Sequence, residues 1–211
     1  MKSSRIAGAF SAAIIAGGLL LGVIAPAGAN HEPANKVSAS GSTREVFGVP
    51  NGSTTELLMS ETVKTSKPTD LILGVTAECS ITTDVTTVGT DTQGAEGLIR
   101  VWITIDGKPV PVSSADNDSG RVVFCNRLYE RTTQLGSDDD EDSIRTFMRT
   151  RNANGFNWMA LNVGSATHKI EVWAELTTDA SARASALAVV GNRTLIVEPV
   201  KSANDEAVTE I

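Results

Sequence analysis

FNWMALNVGSATHKIEVWAEL, residues Phe156 to Leu176, contains two runs in which apolar and polar side chains alternate. In the first, Met159, Leu161 and Val163 alternate with Trp158, Ala160 and Asn162. In the second, His168, Ile170, Val172, Ala174 and Leu176 alternate with Thr167, Lys169, Glu171, Trp173 and Glu175. A period of two belongs to strands with one face on a core. The link Gly164-Ser165 suits a two-residue hairpin turn whose first residue takes positive φ. Closing there pairs Val163 with Ala166, Leu161 with His168 and Met159 with Ile170, which puts both aliphatic sets on one face. Trp158 then stands opposite Glu171, with Trp173 a diagonal neighbour.

The rest of the chain repeats the pattern. Residues 54–65 form a first strand, broken at Lys67-Pro68. Leu71, Leu73, Val75, Ala77, Cys79 and Ile81 share one face of the next. Residues 86–97, with Gly89, Gly94 and Gly97, suggest a loop. Ile99, Val101, Ile103 and Ile105 alternate with Arg100, Trp102 and Thr104 up to Asp106-Gly107, a strong hairpin signal. The returning KPVPV carries two prolines and belongs at a sheet edge. Residues 121–130 are apolar on both faces from Val122 to Cys125, as in a fully buried strand. Residues 143–151 fit a helical stripe or a strand, and their surroundings favour the strand. An Ala/Ser-rich connection, 178–186, leaves room for a short helical turn before a last strand within 187–198, bent at Gly191-Asn192. Many short strands with turn signals between them predict an all-β fold, a two-layer antiparallel β-sandwich of jelly-roll or Greek-key type.

Domain limits follow from composition. Residues 1–29 suggest an export signal: Lys2 and Arg5, an apolar run from Ile6 to Ile24, and Ala27-Gly28-Ala29 as a small-residue cleavage site. An uncleaved anchor is the competing reading. Residues 30–53 read as a flexible leader, 54–199 as the sandwich, and 200–211 as a polar tail. The whole chain carries 18 basic and 25 acidic residues, a net charge of −7. Without Lys2 and Arg5 the basic count is 16 against the same 25 acids, or −9. That balance opposes binding to nucleic acid or anionic lipid. The expected location is extracellular, with no stable membrane insertion after signal cleavage.

Export favours a disulfide between Cys79 and Cys125, with free buried thiols or a metal site as alternatives. His168 is the sole histidine of the sandwich, and no nucleophile motif accompanies it. Its plain reading is a partly buried imidazole bonded to a backbone carbonyl. Glu171 and Glu175 offer a carboxylate pair beside Trp173, but equally the solvent side of a strand. Asp116, Asn117, Asp118 and Gly120, with the acidic run 136–142, raise calcium as a cofactor, though the spacing completes no calcium loop; otherwise none is expected. Asn51 and Asn192 head glycosylation acceptor triplets. Trp102, Trp158 and Trp173 fall on the polar faces of their strands, where they form a binding platform or are covered from outside.

The segments GVTAECSITT, IDGKPVPV, VVFCNRLYE, RTRNANGFNWMALNVGSATHKIEVWAEL and VVGNRTLIVEP resemble a group of uncharacterised secreted bacterial proteins. The resemblance covers residues 71–199 and implies an exported β-sandwich with Cys79 and Cys125 paired. It brings no catalytic residue. The expectation is a secreted non-catalytic domain, an extracellular or cell-surface binding or structural module whose partner is a protein or glycan. A carbohydrate-binding protein using Trp158 and Trp173 with or without calcium, and a hydrolase using Glu171 or Glu175, are the alternatives.

Overall fold

A computed structural model describes residues 37–113, 118–133 and 143–201. The expected signal segment, the first seven residues of the expected leader, most of the tail, Asp116, Asn117 and the acidic run 136–142 lie outside the described residues. Among the described residues ten strands occur: β1 (Ser38–Ser42), β2 (Val46–Phe47), β3 (Gly52–Lys64), β4 (Thr69–Val88), β5 (Thr92–Ile105), β6 (Lys108–Pro109), β7 (Val122–Thr132), β8 (Ser143–Val163), β9 (Thr167–Ala180) and β10 (Ala184–Val200). No helix occurs among the described residues.

All pairings are antiparallel. Sheet I runs β1-β10-β4-β8, with β2 also on β10; sheet II runs β3-β9-β5, with β6 and β7 both on β5. From β3 onward the chain passes between sheets at most of its turns, and long-range neighbours lie side by side. This is the strand order of a jelly roll, an all-β sandwich of two packed sheets.

The stretch at 156–176 is therefore a corner and not a hairpin. β8 pairs with β4 in sheet I, whereas β9 pairs with β3 and β5 in sheet II. Two amphipathic strands facing one core show the same alternation whether they are partners in a sheet or lie across a sandwich. The link has no positive φ at Gly164. It is held from β3 instead: the Thr65 amide donates to the Ala166 carbonyl at 2.9 Å, and the Thr65 hydroxyl donates to the Gly164 carbonyl.

The phase of β8 also differs from expectation. Leu71 opposes Ala160 and Thr69 opposes Val163, so Leu161 and Asn162 share the place opposite Asp70. This is a bulge, with Asn162 at φ 50° and its amide bonded to Asp70 at 2.9 Å. Trp158 and Ala160 therefore point inward before it, Leu161 and Val163 after it, and Met159 faces out. A second bulge at Phe124 turns both Phe124 and Cys125 inward. That accounts for the apolar run in β7, which is an edge strand with Val123 exposed and not a strand buried on both faces.

The remaining differences are of extent. β1 and β2 lie in the expected leader, and residues 86–97 belong mostly to β4 and β5. Gly97 sits inside β5 because a Cβ there would meet the Ile81 side chain at 2.6 Å. The connection after β9 is a tight turn at Ser181–Arg183, closed by the Ala184 amide on the Ser181 carbonyl at 3.0 Å. Residues 143–151 are strand, and Asp106 and Gly107 both take positive φ in the turn between β5 and β6. The apolar faces of β4 and β5 form the core with Ile170, Val172, Leu176, Leu195 and Val197.

Arg193 is buried at the core's margin. β3 bulges at Leu58 and β10 between Val190 and Arg193, and bulges free backbone carbonyls from their ladders. Arg193 answers them with Nε and Nη2 on the Leu58 carbonyl at 3.2 and 3.1 Å and Nη1 on the Gly191 carbonyl at 2.9 Å. A further bond reaches the Arg44 carbonyl. Burial, then the nearby Arg44, lowers its pKa from the usual arginine value. Arg193→Ala strands these carbonyls and is expected to destabilise the fold by about 3 kcal/mol in urea unfolding. Arg193→Lys should recover little, because an ammonium cannot make the fork.

Candidate functional site

The outer face of sheet II brings together Trp102, Trp173, Glu171 and Glu175 of the residues singled out from sequence. β9 and β5 are neighbours there, and register sets Trp102 directly opposite Trp173, Arg100 opposite Glu175 and Thr104 opposite Glu171. Trp173 is half-buried and Trp102 nearly covered, its ring capped by the Arg121 guanidinium 4.4 Å from the centroid. On the far side Leu57 of β3 pairs with Trp173 and is exposed. The result is a stripe across three strands, Leu57, Trp173 and Trp102, ending at a cation.

Charged groups border the stripe. Glu175 accepts from Arg121 at 2.9 Å and Arg100 at 3.4 Å, and its other oxygen accepts from Ser53 at 3.2 Å. Glu171 pairs with Lys169 at 2.5 Å and accepts from Thr104 at 3.4 Å. Sequence reasoning missed Arg100 and Arg121, since their roles depend on which strands are neighbours. Glu171 and Glu175 lie about 13 Å apart along the strand at ordinary rise. Paired glycosidase carboxylates require roughly 5–9.5 Å.

Trp158 is not part of this surface. It is fully buried on the inner side of sheet I, edge-on to Phe156 with ring centroids 4.9 Å apart. Its indole N–H donates to the Gly120 carbonyl at 2.7 Å, which satisfies the one polar group of a buried tryptophan. The platform of three tryptophans is thus reduced to a cross-strand pair.

Gly120 belongs to a loop tied by Asp118. One Asp118 oxygen accepts from the Val112 and Ser113 amides and the Ser113 hydroxyl, and the other from the Gly120 amide at 2.8 Å. Those donors, the Gly120 amide first, lower the Asp118 pKa from the usual carboxylate value. Both oxygens thus face N–H and O–H donors, an environment that favours the carboxylate form. Because the folded pKa is depressed, this stabilisation is present above the unfolded value of about 4 and fades as pH falls through the folded one. Asp118→Asn turns an amide N–H toward a donor. The variant should be destabilised at pH 7, and the gap from wild type should narrow in urea titrations as the pH is lowered below the unfolded carboxylate value of about 4.

His168 is buried on β9, with Nδ1 2.7 Å from Asp106 Oδ2 and Nε2 2.9 Å from the Gly164 carbonyl. Asp106 Oδ1 accepts from the Lys169 amide at 2.8 Å. Burial opposes ionisation of Asp106, but the Lys169 amide and His168 outweigh it and lower its pKa. The carbonyl occupies the nitrogen that a Ser-His-Asp arrangement would aim at a nucleophile, so this pair secures the β8–β9 corner.

Cys79 of β4 and Cys125 of β7 are joined as a disulfide between the two sheets, their Cα atoms 6.4 Å apart. Among the described residues no group of three or more His, Cys, Asp or Glu side chains is placed to hold a metal. Asn192 Nδ2 donates to Glu78 at 3.0 Å.

No protein family matches the chain, and no curated protein matches it. Among solved structures it is similar to chains of infectious bursal disease virus. For the Gx strain the TM-score is 0.34 at 11% identity, over 82% of this chain and 34% of that one. For the VP2 subviral particle it is 0.28 at 12% identity, over 80% and 38%. The chain spans little more than a third of the length of these virus chains.

Proposed function

We propose that the chain is a secreted, non-catalytic β-sandwich module that binds a glycan at a cell surface through the outer face of sheet II. The observation that carries this reading is the cross-strand pair Trp173–Trp102, with Trp173 partly open to solvent between two salt-bridged carboxylates. A half-open indole offers a flat apolar face for the C–H side of a sugar ring. Arg100, Arg121, Glu171, Glu175 and Thr104 around it supply donors and acceptors for hydroxyls, and the ion pairs of Glu175 with Arg100 and Arg121 and of Glu171 with Lys169 hold them in place before a ligand arrives. A non-catalytic role is supported by the ion pairing of both glutamates and by the carbonyl on His168 Nε2.

Binding to a panel of neutral and acidic oligosaccharides tests the reading. At least one ligand should bind wild type and lose tenfold or more in affinity with Trp173→Ala, while the melting temperature stays within a few degrees. A panel without binders, or a binder indifferent to Trp173→Ala, overturns it. Binding of a protein partner, lost on the same substitution, would move the reading from glycan to protein.

A further inference from the structure

The outer face of sheet I carries a second feature, a groove of about 300 Å3. Register lines up Phe47, Val189, Ser80 and Arg151 across β2, β10, β4 and β8, with Leu187, Thr82 and Arg149 in the next row. Phe47, Leu187 and Phe147 are exposed. Exposed apolar groups gathered on one sheet face mark an interaction surface more often than a solvated one.

The charges around the groove are unevenly matched. Arg145 pairs with Asp84, and Arg151 with Glu78 at 2.6 Å. Arg149, between them on β8, reaches only the Ser80 hydroxyl at 3.4 Å and has no carboxylate in contact among the described residues. Glu45, exposed beside β2, likewise makes no contact ion pair among the described residues, and its field reaches Arg151 from a distance. Because Val46 pairs with Val190, Glu45 sits at the Gly191 end of the groove and Arg149 at the Leu187 end, on opposite rims.

We infer that this face is a self-complementary interface, and that its occupant is a second copy of the chain. In a two-fold arrangement each contact i–j is repeated as j–i, so a surface with an unmatched anion on one rim and an unmatched cation on the other can complete itself. An in-plane axis midway between Glu45 and Arg149 sets each Arg149 against the other copy's Glu45. It also lays each Phe47 over the other copy's Leu187 and brings each Arg151 near the other's Glu78. From Thr76 to Asp84 the four-strand face is roughly 500 Å2 at ordinary strand spacing and rise, below the ~800 Å2 per partner of stable complexes. The dimer is therefore a weak one. It leaves both sheet II faces pointing outward, so two Trp173 sites are presented back to back and gain from avidity on a repetitive surface.

Sedimentation of the full chain from about 10 to 500 µM, with folding checked by circular dichroism, is the test. Wild type should shift from monomer to dimer across that range. Arg149→Glu and Glu45→Arg should each weaken association tenfold or more, and the double swap E45R/R149E should restore it. A wild type that stays monomeric at 500 µM overturns the inference, as does a dimer indifferent to both single swaps or not restored by the double one. None of these outcomes depends on glycan binding, so this inference and the proposed function can fail separately.

Discussion

Gly120→Ala is expected to cost about 4 kcal/mol in urea unfolding, the largest effect of any single substitution considered for this chain. Gly120 has φ +64°, a conformation that L side chains rarely adopt, and an added Cβ would lie 1.8 Å from the Val110 carbonyl oxygen. Backbone atoms cannot step aside as the end of a flexible side chain can, so the loop itself must move. When it moves, the Gly120 carbonyl leaves the Trp158 indole and the Asp118 carboxylate loses its bond to the Gly120 amide. Strain at a left-handed position contributes roughly 1–3 kcal/mol and the unpaired buried indole a similar amount. Gly164→Ala is the matched control: it has no positive φ and nothing within 4 Å of an added Cβ, and should change stability by less than about 1 kcal/mol. Had Gly164 been a hairpin residue at positive φ, that substitution would have been the damaging one.

Removing the disulfide should cost nearly as much. Cys79→Ala with Cys125→Ala frees a cross-link spanning 46 residues, and the chain-entropy account gives about 4 kcal/mol for a loop of that length. The bond joins the middle of β4 to the bulge of β7, and among the described strands β7 pairs only with β5. Without the bond this edge of sheet II loses its covalent tie to sheet I. Hydrogen exchange in the double variant should therefore quicken first in β7, and unfolding by urea should shift to a lower midpoint. Equal stability with and without the bond would mean that the packing of Phe124 and Trp158 alone holds that edge.

The strands themselves were largely legible from sequence, because alternation is a local property. The inward faces of β4, β5 and β9 could be read from single runs such as Leu71–Ile81 and Ile99–Ile105. Pairing was not legible. The corner at Gly164–Ala166 preserves the same side-chain phase as a hairpin, and the difference lies in hydrogen bonds made by Thr65, nearly a hundred residues earlier. Bulges were the second blind spot. One extra residue near Asn162 reverses the phase, so Trp158 moves from an expected outer face to the core while Met159 moves out. Of the expected binding residues, Trp102 and Trp173 come together because β5 and β9 are adjacent. Arg121 and Arg100 join them for the same reason, and strand adjacency is a feature that no spacing in the sequence encodes. Arg193 shows the same limit: a lone arginine in VVGNRTLIV reads as an outward residue until two bulges, one in each sheet, place their carbonyls around it.

The proposed function depends on a division among the three tryptophans, with Trp158 sealed inside against Gly120 and Trp173 beside Trp102 at the surface proposed to receive a ligand. An NMR titration that follows the three indole N–H resonances with the oligosaccharide panel tests it most directly. The Trp158 signal should be strongly protected from hydrogen exchange and stay fixed, while those of Trp173 and Trp102 shift and saturate together with a binding glycan. A Trp158 signal that exchanges freely, or that moves with the ligand while Trp173 stays still, would contradict it.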